Sequence, residues 1–218
     1  MNKKLIVFPL LLVMILGFLC SCGSGTKFES NYKTFVYGKN YSIPYKDKSA
    51  KFTSSDESVC IIENNQIVPL AGGYSIITAN NKETMAAFIT GITHSKLNVK
   101  VTTDLAKSYH NSNKITLGVI MTIENNGLNN FNLSRTNTQS FMVERDGATA
   151  TSYRCSLEND NQDITDDIVI KPGESQQVIV HFLYDNVPTS ITTDKKCFNV
   201  ILLGTRIGAQ VITEHVYD

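Results

Sequence analysis

Hydrophobic and polar residues alternate along most of this chain with the period of two that marks strands. Residues 115–124 are the clearest case. Ile115, Leu117, Val119, Met121 and Ile123 fall on one face, and Thr116, Gly118, Thr122 and Glu124 on the other, with Ile120 the exception. In residues 176–184, Val178, Val180, Phe182 and Tyr184 alternate with Gln177, Ile179, His181 and Leu183. Shorter runs predict strands at 35–37, 41–43, 51–53, 59–63, 66–70, 74–79 and 85–90, then at 97–103, 141–143, 148–153, 197–203 and 208–213. Asn64-Asn65, Gly72-Gly73, Asn80-Asn81, Asn125-Asn126-Gly127, Asp146-Gly147 and Lys171-Pro172-Gly173-Glu174 punctuate them with residues suited to turns. Residues 104–113 read as a polar loop and 92–96 as a brief polar link. In the runs at 59–63 and 74–79 both faces are fairly apolar, so periodicity alone leaves the class of those runs open. The spacing as a whole predicts an all-β chain folded as two consecutive β-sandwiches.

One stretch breaks the pattern. Asn2-Lys3-Lys4 is followed by an unbroken apolar run from Leu5 to Leu19 and then by Cys20-Ser21-Cys22-Gly23. A basic start, an apolar middle and a small-residue exit are the parts of a secretory signal. As a helix the run would reach roughly 22 Å, short of a hydrocarbon core of about 30 Å. Pro9 and Gly17 weaken it further as a spanning helix. Leu19-Cys20-Ser21-Cys22 resembles the bacterial lipobox, an aliphatic residue and two small ones before a cysteine. The resemblance implies a signal peptide over 1–21, a diacylglyceryl thioether on Cys22, and a lipidated tether over 22–31. The mature protein would then be exported and held to the bacterial cell membrane facing outward, with plasma and outer membrane equally open.

Charge changes the picture by exclusion. Twenty basic residues balance twenty acidic ones, and loss of Lys3 and Lys4 would leave a net charge of about −2. That balance gives no electrostatic case for nucleic acid. It gives none for attraction to anionic lipid, so the membrane is expected as a partner through the covalent anchor. Of five cysteines, Cys20 would leave with the signal and Cys22 would carry the lipid. Cys60 sits in an apolar run and reads as a buried thiol. Cys155 and Cys197, both in the second half, are the expected disulfide pair if export permits one.

Two further resemblances follow from particular residues. Phe52-Thr53-Ser54-Ser55-Asp56-Glu57-Ser58-Val59-Cys60-Ile61-Ile62, then Asn64-Asn65-Gln66-Ile67-Val68-Pro69-Leu70 and Gly73-Tyr74-Ser75-Ile76-Ile77-Thr78-Ala79, resemble the bacterial group-two Ig-like domain of invasin- and intimin-like adhesins. Phe52 stands where that family usually has Trp, Cys60 at its Ala and Asn65 at its turn Gly. The likeness implies an Ig-like domain over 32–93. Ile123-Glu124-Asn125-Asn126, Phe141-Met142-Val143, Asp146-Gly147 and Lys171-Pro172-Gly173-Glu174-Ser175 resemble Ig-like extracellular domains of unknown function that follow lipoprotein signals. That likeness implies a second Ig-like sandwich over 96–218 and brings no catalytic residues with it.

A search for chemistry finds no nucleophile elbow, phosphate loop or His-Glu-x-x-His pattern. His94, His110, His181 and His215 are scattered without ligand spacing and read as surface residues. The acidic stretch 158–167 fails the alternation and the sixth-position Gly of an EF-hand, so it reads as a solvated loop. The expectation is therefore a non-enzymatic surface protein with no catalytic residues, cofactor or metal, for binding, adhesion or structural display. Its partner would be a protein or a cell-wall or host glycan. An envelope carrier or sensor of a small molecule or metal is the alternative, and an envelope hydrolase a more distant one.

Overall fold

The computed structural model describes residues 28–111, 114–134, 141–145, 148–157, 167–184 and 197–217. Every regular element among them is a strand, numbered here in chain order. The strands surround two separate hydrophobic cores.

Around the first core, β1 (Tyr32–Val36), β7 (Glu83–Thr90), β6 (Gly73–Ala79) and β3 (Phe52–Ser54) form one sheet in that spatial order. β1 runs parallel to β7, and the other pairs are antiparallel. A second sheet stacks β2 (Tyr41–Ser42), β5 (Gln66–Pro69) and β4 (Cys60–Glu63). Phe35, Ile43, Tyr45, Val59, Cys60, Ile67, Ile77, Met85 and Ile89 are buried together in this core. The hairpin β4–β5 turns on Asn64 and Asn65, both left-handed at φ 49° and 58°. Asparagine tolerates that region because its short amide bonds locally.

Around the second core, seven strands close on themselves. They are β9 (Val99–Asn111), β10 (Lys114–Asn125), β12 (Phe141–Arg145), β13 (Ala148–Ser156), β15 (Ser175–Tyr184), β16 (Cys197–Leu202) and β17 (Thr205–Tyr217). The order is β10-β15-β13-β12-β16-β17-β9, and β9 pairs back to β10. Two strands turn the corners. β13 pairs with β12 through Ala148–Thr151 and with β15 through Ser152–Ser156, across a bulge. β17 pairs with β16 through Thr205–Val211, then runs parallel to β9 from Ile212. Bulges that redirect strands in this way let a sheet fold over a core. The core receives Leu117, Val119, Met121 and Ile123 from β10, and Val178, Val180 and Phe182 from β15, the faces that alternation predicts. A two-stranded flap of β11 (Phe131–Leu133) and β14 (Ile168–Ile170) adds Leu133, Ile168 and Ile170.

Two expectations change. Residues 104–111 are not loop: β9 continues through them, with its register shifting opposite Ile120 and Met121 of β10. The polar composition there reflects a strand with an exposed face and a bulge at Asp104. Residues 92–94 are not a link but β8 (Ile92–His94), paired with Val99–Val101 of β9. The flap strands β11 and β14 are too short for alternation to reveal.

The two cores meet along a seam. Tyr74, Ile76, Ala86 and Phe88 point away from the first core and pack with Cys197, Ala209 and Val211. Phe88 is fully buried there, worth roughly 1.5–3 kcal/mol relative to exposure. Beside this cluster the Thr103 amide donates to Thr90 Oγ1 at 2.7 Å, and Gln210 Nε2 donates to the Thr103 carbonyl at 2.8 Å. Arg206 lies 3.8 Å from Asp56 of the first unit and 3.6 Å from Glu144 of the second. Arg206 and Asp56 are exposed and Glu144 is half-buried, and such pairs contribute about 0–1 kcal/mol. Apolar burial and buried hydrogen bonds therefore dominate the seam.

Candidate functional site: an aromatic and histidine face

The outer face of β9, β10, β15 and β13 carries an unusual row. Pairing aligns Lys107 with Gly118, Gly118 with His181, and His181 with Arg154. Paired residues share a face, and this one lies opposite Leu117, Val119 and Val180 in the core. Gly118 makes room for aromatic rings. A Cβ there would sit 2.9 Å from Cε2 of Tyr109 and 3.6 Å from Nδ1 of His181. The Tyr109 and Tyr153 rings flank the His181 imidazole at centroid distances of 6.3 and 6.4 Å. Tyr153 is 41% exposed, so part of the face is open to a ligand.

His181 Nε2 lies 3.1 Å from Ser156 Oγ. Burial, and after it the Arg154 guanidinium, push the His181 pKa down to about 4. The imidazole is thus neutral at pH 7. A Ser–His contact invites comparison with a nucleophile and base. With a pKa of about 4 the imidazole is a weak base, and among the described residues the charge that acts on the ring is the Arg154 guanidinium. What the arrangement offers is ring stacking edged by hydroxyl, imidazole and guanidinium groups.

The other predicted positions separate clearly. Cys22 and residues 158–166 of the acidic stretch lie outside the described residues. Cys155 and Cys197 are not bridged, which corrects the expected disulfide. The reason is strand phase. Cys155 points into the second core, whereas Cys197 faces the seam on the opposite side of the barrel wall. Cys60 is fully buried, and burial raises its thiol pKa. His94 is also buried rather than on the surface. It is 3% exposed, and its Nδ1 accepts the Leu97 amide at 3.3 Å. His110 and His215 lie in β9 and β17. Among the described residues no cluster of His, Cys, Asp and Glu could hold a metal.

Sequence reasoning placed His181 opposite the core but missed its neighbours. Tyr109 fell in the expected loop, so nothing signalled that its ring lies across Gly118. A glycine in the middle of an otherwise regular strand was the available clue. A cleft of about 290 Å3 opens at the seam beside Tyr32, Ile76 and Cys197. It is at the small end of ligand-site volumes. Comparison with protein-family models and with curated proteins gives no match for the chain.

Proposed function

We propose that this chain is an exported, lipid-anchored surface protein of two Ig-like sandwiches that works by binding and not by catalysis. The anchor rests on the lysines, the apolar run and the lipobox-like Leu19-Cys20-Ser21-Cys22. The Ig-like reading of residues 96–218 is supported by strand order. β9, β10, β15 and β13 form one run, β12, β16 and β17 the other, and the first strand lies parallel to the last. That order suits a sandwich with strands A, B, E, D on one side and C, F, G on the other. For residues 32–93 the support is two stacked sheets around one core.

The observation that carries binding is the Tyr109–His181–Tyr153 face, two rings around a neutral imidazole on a rigid sheet. Flat aromatic surfaces with hydrogen-bonding rims suit sugar rings or the planar groups of a protein partner. The test is binding of residues 23–218 to immobilised cell-wall polymer, host glycans and matrix proteins. Binding to one of them that falls at least about tenfold in Tyr153→Ala, a loss near 1.4 kcal/mol, is the expected result. No binding to any of them, or binding unchanged by Tyr153→Ala and Tyr109→Ala, would overturn the assignment.

A further inference from the structure

We infer that the seam is a lock that makes the two units one rigid body, so that the aromatic face is held at a fixed orientation to the N-terminal tether. Units joined within a chain ordinarily move against each other unless their interface is large and apolar. Here the geometry removes the slack. A single residue, Gly91, separates β7 from β8. Its φ is +75°, and a Cβ on it would lie 2.8 Å from Cγ1 of Val36. Its amide donates to the Val101 carbonyl at 2.9 Å, and the Tyr37 amide donates to the Thr90 carbonyl at 2.8 Å. The Thr90–Gly91 peptide is thus bonded through both its amide and its carbonyl.

Backbones also touch across the seam. A Cβ on Gly72 would lie 2.5 Å from the Arg206 carbonyl oxygen and 2.8 Å from the Ile207 carbonyl carbon. Gly72 needs no left-handed conformation, so what glycine provides there is proximity alone. At Gly208 the neighbours are side chains: a Cβ would lie 2.9 Å from Oγ1 of Thr103 in its own unit and 3.0 Å from Oγ1 of Thr90 across the seam. Phe88 fills the space beside them. The lock is therefore close backbone contact plus one buried aromatic ring, and the exposed Arg206 pairs are secondary.

Cys197 reports on the lock in the native chain. It is half-buried on the seam, and burial lifts its thiol pKa to about 11. In the closed state it alkylates slowly, since the thiolate is the reactive form. Cys60, fully buried in the first core, reports on unfolding of that unit.

The experiment is iodoacetamide labelling of the full chain, read cysteine by cysteine by peptide mass spectrometry. In Gly72→Ala, Cys197 should label about tenfold faster while Cys60 stays within about twofold, since ~1.4 kcal/mol changes an opening equilibrium tenfold. Phe88→Ala should act in the same direction, and Arg206→Ala should leave both rates within about twofold. Equal acceleration at Cys60 would mean that Gly72→Ala unfolds the chain, and Phe88→Ala then decides. Cys197 labelling in the wild type at the rate of an unstructured peptide would overturn the lock. So would a Cys197 rate that Phe88→Ala leaves unchanged.

Discussion

Leu203 is the residue most at odds with its surroundings. It opens the two-residue turn between β16 and β17 with φ +44°, and Gly204 follows at +81°. The other non-glycine left-handed positions among the described residues are held by Asn64, Asn65, Asn80, Asn81 and Asn98. A leucine there crowds its Cβ against the carbonyl at a cost of about 1–2 kcal/mol, less for asparagine. It is also 57% exposed, so burial does not offset the strain. Leu203→Asn should raise stability by roughly 0.5–1 kcal/mol, read as a higher urea midpoint at unchanged slope. A lower midpoint would mean that the leucine makes a contact that outweighs the strain.

His181 gives the second residue-scale prediction. Its pKa falls from 6.5 to about 4 on folding, so the unfolded chain binds the proton more tightly. The contribution is fully present above pH 6.5 and is lost as pH falls from there towards 4, on the order of 3 kcal/mol in all. Carboxylates titrate in the same window, so the comparison is with His181→Gln. Between pH 7 and pH 4.5 the wild type should lose more stability than the variant. Equal losses would place the imidazole in contact with solvent.

At the scale of elements, strand ends depend on particular side chains. Asn125 closes β10 and is 1% exposed. Its Nδ2 donates to the carbonyls of Asn129 and Ile170, and its Oδ1 accepts the Gly127 amide. One amide thus ties β10 to the following turn and to β14. Asn125→Ala leaves buried partners unpaired at about 1–3 kcal/mol each, so a total loss of about 3 kcal/mol is expected in urea unfolding. A loss below about 1 kcal/mol would mean that water replaces the amide there.

The same scale shows what could be read in advance. The cores of β10 and β15 were legible because one face of each is buried, and alternation reports that directly. The run at 74–79, β6, was ambiguous because one face lies in the first core and the other, with Tyr74 and Ile76, is partly buried against the seam. A strand covered on both sides loses its alternation. β9 was half hidden by the register shift and β8 by its length, and losing that part of β9 hid Tyr109. The face therefore had to come from pairing across strands, which a linear pattern does not contain.

At the largest scale, two cores and one seam hold every buried hydrophobic residue among the described ones except Ile120, and no disulfide joins the described cysteines. Reductant should accordingly leave the melting temperature within about 1 °C, whereas loss of a bridge worth 2–5 kcal/mol would lower it by several degrees. A clear drop would mean that Cys155 and Cys197 do pair in the purified protein. With the units locked, binding on the outer face would be transmitted to the first unit without a flexible joint between the two.

Everything proposed about role depends on where the protein is held. Labelled palmitate uptake and membrane fractionation of the wild type and Cys22→Ser decide that together. The wild type should take up label and sediment with membranes, and Cys22→Ser should do neither. A Cys22→Ser chain that remains in the membrane fraction, beside a wild type that takes up no label, would contradict the account.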